Sequence, residues 1–461
     1  MNAGDSGEPD QMKRRLPILF AAALLAALGV LAAGGMPAGA VTGIAPARGF
    51  VPHRVVVKFA GERFGRALAL PPRVGVREAA AALRRSPRVA YAEPDYIATA
   101  STFLPDDSGT IPATLELAGN WMQRQWNFLP WQPDTSGALT SPGGIDAVGA
   151  WRNLIAAGRP GAKGVTVAVL DTGIAYRNLG KRPEGGGGRF RRSPDLSSKQ
   201  FVPGYDFVDD NPRPVDTNGH GTHVAGTIAE ETNNGVGLTG LAYKAKLMPV
   251  QVLNSHGRGQ ASEIAKGIRF ATRHGAQVIN MSFNFGCGKK VPDVDEALRL
   301  AAKKGIVLVA SVGNIGSETC ISPPATEGYV IGVGGATEGG CLGGYSLAGE
   351  DVDVVAPGGG PPIAGCPSIL SSPIYQITLK SHGSPNFGTP SDYIGTSMAA
   401  AHVSGVAAMT IASGVLGKVS PRSLNNRVTR RLKDTARSLG LPETQQGHGL
   451  IDAERATDPG V

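Results

Sequence analysis

From Gly164 onward, the chain alternates between short apolar runs and helix-like stretches. The apolar runs are rich in Val and Ile, and they lie at 165–170, 246–253, 278–282, 306–311 and 352–356. Helix-like stretches separate them at 220–231, 262–274, 293–304 and 396–412. Strands buried on both faces of a parallel sheet have this continuous apolar pattern. The alternation therefore predicts an α/β fold, a doubly wound and mainly parallel sheet flanked by helices.

A smaller pattern precedes this domain. Residues 54–59 and 89–95 are typical of strands, and residues 77–85 are typical of a helix between them. They predict a small α+β module over 41–100 that is marginally stable alone. The stretch 101–145 has scattered Pro, Asp, Gly and Ser, so we expect a linker with a processing site there. The α/β domain is expected over 146–461.

The amino terminus has the features of an export signal. Basic residues 13–15 precede an apolar run at 16–33, and Ala38-Gly39-Ala40 has the small-residue form of a cleavage site. We expect residues 1–40 to be a signal peptide and the protein to be secreted. The alternative is a membrane tether through residues 16–33, because a run of about 18 residues is just long enough to span a bilayer.

The net charge of +8 does not indicate a nucleic-acid partner. Ten Lys and Arg against four Asp and Glu lie between residues 48 and 95, so most of the basic excess is in the small module. Nucleic-acid binding requires a basic surface on the working domain. We therefore expect no nucleic-acid partner.

Polar residues follow three of the predicted elements where a parallel sheet places its ligands, beyond the carboxyl ends of the strands. Asp171 ends an apolar strand, His220 lies between glycines at a helix start, and Ser397 enters an Ala-rich helix. A serine hydroxyl becomes nucleophilic when an imidazole takes its proton and an acid orients that imidazole. Asn314 follows another strand and supplies an amide that, with the Ser397 backbone N–H, is suited to hold an oxyanion.

These segments, in the chain order Asp, His, Ser, resemble the subtilisin-like (subtilase) serine proteases. The similarity runs from about residue 125 to 453. It implies a serine endopeptidase that hydrolyses peptide bonds in polypeptides, without a cofactor for the chemistry, and we expect a monomer. The small module resembles the family's propeptide, which acts as an intramolecular chaperone and inhibitor.

The resemblance also implies substrate-binding segments. Two segments would pair with the substrate backbone and a third would line the pocket for the residue before the cut: Gly257, Arg258 and Gly259; Ser282, Phe283 and Asn284; Ser311, Val312 and Gly313. The sequence departs from the family at Ala401, where Pro is usual, and at Asn284 and Phe285, where glycines are common. For this reason no substrate preference is carried over.

Calcium is a further implication of the resemblance. The segment 233–238 resembles the family's calcium loop, which would use Asn234, Val236 and Leu238, and Asp195 matches an acidic ligand. The alternative is an ordinary turn rich in Asn and Gly.

The four cysteines contain no C-x-x-C pair, and an even number in an exported chain indicates two disulfides. Loops at the same end of adjacent parallel strands approach each other, so we expect Cys287 to pair with Cys320 and Cys341 with Cys366. The count alone allows three connectivities.

The rival function is a non-catalytic binding module on the same scaffold. Such a protein would tolerate the loss of at least one catalytic position. All four, Asp171, His220, Asn314 and Ser397, are present, which favours the enzyme.

Overall fold

A computed structural model describes residues 50–96, 103–110, 119–134, 136–179, 190–314 and 320–461. The chain divides into two compact units, Met1–Ser101 and Thr102–Val461. The predicted signal peptide 1–40, with the alternative tether 16–33, lies outside the described residues. Among the residues that are described, no helix combines the length and the apolar character that crossing a membrane requires.

The described part of the first unit, residues 50–96, is a three-stranded antiparallel sheet with one helix. Its elements are β1 (Phe50–Phe59), β2 (Arg66–Ala69), α1 (Val76–Leu83) and β3 (Val89–Tyr96), and the strand order is β2-β1-β3. Alternate residues of β1, Val55 and Val57, are fully buried and form a small core with one face of α1. The described part matches the predicted α+β module, and β2 is an additional short strand.

The second unit is built on a seven-stranded sheet. Its strands are β4 (Thr166–Asp171), β5 (Tyr205–Asp206), β6 (Lys246–Gln251), β7 (Val278–Met281), β8 (Val307–Ser311), β9 (Ile331–Ala336) and β10 (Val354–Pro357). The order is β10-β9-β8-β7-β4-β6-β5, and every pair is parallel. The predicted α/β fold is confirmed. Two strands add to the five predicted runs: β5 has only two residues, and β9 is rich in glycine.

Helices flank this sheet. They are α2 (Ala147–Ala156), α3 (His220–Ala229), α4 (Ala261–Arg273), α5 (Pro292–Lys303), α6 (Thr396–Ser413), α7 (Leu424–Thr435), α8 (Glu443–Gln446) and α9 (Ala453–Thr457). A two-stranded ribbon, β11 (Thr378–Leu379) with β12 (Phe387–Gly388), lies between β10 and α6 in the chain. Helix α6 is buried from Thr396 to Thr410 because it is apolar on all sides, as expected of a central helix. Ala401 lies inside this buried run, so the helix continues where the family usually has Pro.

The expectation of a linker over 101–145 is wrong for the described residues of that stretch. Trp121 and Phe128 are fully buried in the core of the second unit, and their rings pack edge-on against Trp151. The Trp121 indole also donates to the Pro105 carbonyl at 3.0 Å. Large aromatic side chains bury enough apolar area to fix a segment that has no regular strand or long helix.

Two disulfides cross-link the second unit. Cys287 is bonded to Cys320, with 5.6 Å between their Cα atoms, and Cys341 is bonded to Cys366, with 6.2 Å. These are the pairs expected from the sequence. The first joins the segments that follow β7 and β8, which are neighbouring strands of the sheet.

Candidate active site

Asp171 and His220 meet at the carboxyl edge of the sheet. Asp171 is the last residue of β4 and is fully buried, and His220 is the first residue of α3. The His220 Nδ1 atom lies 2.8 Å from Asp171 Oδ1, which also accepts the Thr172 backbone N–H at 2.7 Å. The carboxylate therefore fixes both the orientation of the ring and the nitrogen that carries its proton.

Glycines on both sides of His220 make this approach feasible. Gly219 has a φ of +112°, a backbone conformation that favours glycine. A Cβ atom on Gly221 would lie 2.1 Å from the Gly173 carbonyl oxygen. Side chains at either position would push α3 away from the end of β4.

The electrostatics of the pair favour a charged imidazole. Burial alone would disfavour a proton on the His220 ring. The charge of Asp171 and its hydrogen bond outweigh that effect, so the pKa of His220 is raised above its ordinary value of 6.5. Asp171 therefore stabilises the protonated form of His220, which is the form produced when the ring accepts a proton during a reaction.

Ser397 lies in the first turn of α6 and is 9% exposed. Its hydroxyl donates to the Ser282 backbone carbonyl at 3.1 Å. Within the described chain, no hydrogen bond joins this hydroxyl to the His220 ring, although both side chains line one cleft of about 500 Å³. Catalytic hydrogen bonds often form fully only in the substrate complex.

Asn314 is oriented by the residue that precedes Ser397. Its Oδ1 atom accepts the Thr396 backbone N–H and the Thr396 hydroxyl, each at 2.8 Å. Because the oxygen is committed to Thr396, the amide NH₂ group is left to donate. Asn314 lines the same cleft as Ser397, so the sheet edge brings together all four residues that the sequence singled out for chemistry.

Sequence reasoning missed Asp216, which organises the turn before α3. This fully buried carboxylate accepts the backbone N–H groups of Asn218, Gly219 and Thr222 and the hydroxyls of Thr172 and Thr222. Burial raises the pKa of its carboxyl, and these hydrogen bonds oppose that shift. An acid followed by Thr, Asn and Gly is a typical turn signal, but the contact with Thr172, 44 residues away, emerges only from the fold.

The predicted substrate segments border the cleft in part. Five of their residues line it: Gly257, Ser282, Phe283, Asn284 and Gly313. Ser311 and Val312 are fully buried beside it, and Arg258 and Gly259 are exposed on the adjoining segment. The cleft is thus walled by the segments that follow β6, β7 and β8.

The predicted calcium residues lie together in a separate loop. Asp195 is fully buried, and its oxygens accept the Asn234 side-chain amide and the Leu238 backbone N–H, both at 2.8 Å. Asn234 in turn accepts the Val236 backbone N–H at 2.8 Å. The described residues contain no group of three or more His, Cys, Asp or Glu side chains arranged to hold a metal ion.

A second acid, Asp107, joins this loop and was not anticipated. Its carboxylate accepts the backbone N–H groups of Asn233 and Asn234 at 3.0 Å each. Burial raises the pKa of Asp107 to about 6, and burial also raises the pKa of Asp195, with Asp107 adding to that shift. The sequence offered no signal for this contact, because more than 120 residues separate the partners.

Comparison with known proteins agrees with this geometry. The sequence model of the subtilase family, Peptidase_S8, matches residues 162–449. The chain belongs to the subtilase family. Like its subtilisin and thermitase relatives, this subtilase is a serine endopeptidase, and its substrates are polypeptides.

Three relatives define the extent of the similarity. Thermitase from Thermoactinomyces vulgaris is 32% identical over 329 residues, which are 71% of this chain and 99% of thermitase. Subtilisin BL from Lederbergia lenta is 35% identical over 64% of this chain and 91% of its own. The thermophilic serine proteinase from Bacillus sp. (strain AK1) is 35% identical over 64% of this chain, but the match spans only 62% of that longer protein.

A solved structure supports the fold assignment. A chain described under proteases from Pseudoalteromonas arctica PAMC 21717 superposes with a TM-score of 0.56 at 27% identity, covering 77% of this chain and 99% of its own. The match covers a larger share of this subtilase than the family model does.

Proposed function

We propose that this subtilase is a secreted zymogen in which Ser397 is the nucleophile, His220 the base and Asp171 the residue that orients the base. One observation carries the proposal: His220 Nδ1 lies 2.8 Å from the buried Asp171 carboxylate, in the cleft that Ser397 also lines. Because Nδ1 is committed to the carboxylate, Nε2 is the nitrogen that accepts the hydroxyl proton.

The reaction then proceeds in two halves. The Ser397 side chain turns from the Ser282 carbonyl to the His220 ring, and its oxygen attacks the scissile carbonyl carbon as the ring takes the proton. The tetrahedral intermediate collapses, the C–N bond breaks, and His220 gives the proton to the leaving amine. Water, activated by the same ring, hydrolyses the ester and restores the hydroxyl.

Asn314 and the Ser397 backbone N–H are proposed to hold the oxyanion. Support comes from the two hydrogen bonds that Thr396 makes to Asn314 Oδ1, since they leave the amide NH₂ free for the developing charge. The amino terminus of α6 adds a favourable dipole. In subtilisin, a relative of this chain, one such donor contributes about 10²–10³ in kcat.

The decisive test is active-site labelling. Purified mature protein should react with a fluorophosphonate probe at Ser397, and the Ser397→Ala variant should not. Peptide mapping of the labelled protein identifies the modified residue. Failure of the folded, processed wild type to label would refute the proposed chemistry.

We also propose that the first unit is a propeptide that is removed during secretion. The core of its described residues, 50–96, is small, as expected of a module that folds only marginally alone. The Phe103 ring packs on Trp151 and Tyr243, with centroids 6.2 and 5.8 Å apart, so a cut much beyond it would remove buried groups. Sequencing of the secreted enzyme should find an amino terminus near Thr102, where the second unit begins.

Amino-terminal sequencing also separates secretion from tethering. Active enzyme in the membrane fraction that retains residues 16–33 would refute the secreted form and leave the catalytic proposal intact. A mature chain that begins after Trp121 would refute the position of the cut, because that indole is fully buried.

A structural calcium ion is a further part of the proposal. The carboxylates of Asp107 and Asp195 are buried together with no salt-bridge partner in the described chain. Among the described residues, the carbonyl oxygens of Val236 and Leu238 accept no hydrogen bond. Carboxylate, amide and carbonyl oxygens are the donors that calcium takes. Asp195, Asp107, Asn234 and the two carbonyls would hold it and would supply charge neutralisation, not catalysis.

Thermal unfolding tests this site without relying on activity. In the inactive Ser397→Ala background, calcium at about 100 times its Kd should stabilise the fold by about 2.7 kcal/mol relative to EDTA. Asp195→Asn should abolish the difference. Asp206→Asn, which changes an acid at the end of β5 whose carboxylate accepts backbone N–H groups of the following turn, is the matched control and should retain it. An equal unfolding temperature in calcium and EDTA would refute the site.

A further inference from the structure

Asn284 spans the slot between two walls of the cleft. It lies on the segment after β7, and its side-chain Nδ2 atom donates to the Ser311 backbone carbonyl, at the end of β8, at 2.6 Å. The Ser311 hydroxyl returns a longer hydrogen bond, 3.4 Å, to Asn284 Oδ1. A side chain at this position therefore lies across the opening between neighbouring strand ends, where a glycine would leave the space empty.

Leu347 fills the same slot from the other side. Its side chain is 2% exposed, and its Cδ1 atom lies 2.7 Å from where a Cβ atom on Gly313 would stand. Its backbone N–H donates to the Gly313 carbonyl at 3.2 Å. The space beside Gly313 is thus limited by the Asn284 amide on one side and by the Leu347 side chain on the other.

A disulfide restrains the wall that carries Asn284. Cys287, three residues after Asn284, lines the cleft and is bonded to Cys320. The Phe285 backbone N–H also donates to the Pro323 carbonyl at 2.9 Å. The wall that carries Asn284 is therefore tied to the segment that follows the opposite wall at two points. Because these ties oppose separation of the walls, we expect a large side chain to displace Asn284 itself.

The cleft offers no partner for a charged side chain. Apart from His220, its described lining residues carry no side chain that titrates, since Cys287 is in a disulfide. Burial of an unpaired charge is unfavourable. The occupant that fits is small and uncharged.

We propose that Asn284 is a size filter which restricts the residue before the scissile bond to Gly, Ala or Ser. This inference rests on the proposed function, because it assumes that a peptide is held against Ser397. Leu or Phe at this position has to break the hydrogen bond between Asn284 and Ser311. In apolar pockets, small differences in the size of the substrate side chain change kcat/KM by about 10- to 200-fold.

The test compares four peptide substrates that differ only in the residue before the cut, Gly, Ala, Leu or Phe. Active enzyme is first counted by fluorophosphonate titration, and kcat/KM is then measured for each peptide. Wild type should prefer Ala to Phe by at least about tenfold, and Asn284→Gly should raise kcat/KM for Phe by about 10- to 100-fold relative to Ala. Asn426→Ala changes an exposed amide on α7 and should leave the wild-type ratios unchanged.

A second variant separates the hydrogen bond from bulk. Asn284→Asp has the same shape but cannot donate to the Ser311 carbonyl, so it should also accept Leu and Phe better than wild type. The proposed size filter would be refuted if wild type cut after Phe as fast as after Ala. It would also be refuted if Asn284→Gly and Asn284→Asp kept the wild-type ratio of kcat/KM for Phe and Ala. Failure to label with fluorophosphonate would instead overturn the proposed function, so the two failures are distinguishable.

Discussion

Acid should destabilise the second unit through His402, a buried histidine on the helix that carries Ser397. The ring is fully buried, its Nδ1 atom lies 2.8 Å from the Met398 carbonyl oxygen, and its Nε2 atom lies 2.8 Å from Asn127 Nδ2. Nδ1 therefore donates to Met398, and Nε2 accepts from the Asn127 amide. A second proton on Nε2 would oppose the Asn127 N–H group at hydrogen-bond distance.

The magnitude follows from the shift. Burial lowers the pKa of His402 from 6.5 to about 4. A depressed pKa means that the unfolded chain binds the proton more readily. The contribution to stability is therefore complete above pH 6.5 and is lost as the pH falls toward 4. At 1.36 kcal/mol per pKa unit, the loss is about 2 kcal/mol at pH 5 and about 3 kcal/mol below pH 4.

The assay is calorimetric unfolding in the Ser397→Ala background, which prevents self-digestion. His402→Gln has no titrating ring, so its unfolding temperature should fall less than that of the parent between pH 8 and pH 5. An unfolding entropy of about 2.1 cal/mol/K per residue over Thr102–Val461 converts 2 kcal/mol into about 3 °C. If the two proteins lost the same number of degrees, the assignment of a neutral, pKa-depressed His402 would be refuted.

Two predictions concern catalysis. The pKa of His220 is raised above 6.5, and only the neutral ring accepts the Ser397 proton. We therefore expect kcat/KM to rise with pH and to reach half of its maximum at a pH above 6.5. In Asp171→Asn the pH of this midpoint should fall, and kcat should decrease by several orders of magnitude. Measuring kcat/KM from pH 5 to 9 for both proteins checks this. An unchanged midpoint would contradict the role of the carboxylate. Thr396→Val removes one of the two hydrogen bonds to Asn314 Oδ1, so kcat should fall by about 3- to 10-fold with little change in KM. Asn314→Ala should lose about 10²–10³ in kcat, and a Thr396→Val loss that equalled it, or that appeared only in KM, would contradict a positioning role.

The parts of the fold that the sequence predicted are those with local signatures. Buried parallel strands are continuous apolar runs, so β4, β6, β7, β8 and β10 were visible without any knowledge of their neighbours. Strand β5 was not visible, because two residues make no pattern. Asp171, His220 and Ser397 were visible because each lies in a short segment with a characteristic set of glycines and small residues.

The parts that the sequence did not predict depend on contacts between distant segments. The polar neighbours of Trp121 predict a linker, yet its ring packs with its centroid 5.7 Å from that of Trp151. The sequence does not predict the role of Asp107, because its partners are loop amides more than 120 residues away. Such contacts are tertiary in origin, and local composition does not report them.

Two buried acids beside His220 illustrate how identical side chains take different roles. Every hydrogen bond to Asp216 comes from an N–H or hydroxyl group of the surrounding turns, and both of its oxygens are used. Its oxygens are used by these hydrogen bonds, so Asp216 holds the backbone of the turn before α3 in place. Asp171 shares one oxygen between Thr172 and the ring, and its Oδ2 atom has no hydrogen-bond partner among the described residues.

An acid with an unpaired oxygen in a buried site gains most from a positive charge nearby. The ring of His220 becomes positive only after it takes a proton, so Asp171 interacts most strongly with the state formed during the reaction. The charge of Asp216 also raises the pKa of His220, but its effect is smaller than those of the Asp171 charge and hydrogen bond. Removing the charge at Asp171 should therefore slow catalysis in a correctly folded enzyme. The same change at Asp216 should first disorder the turn that positions α3.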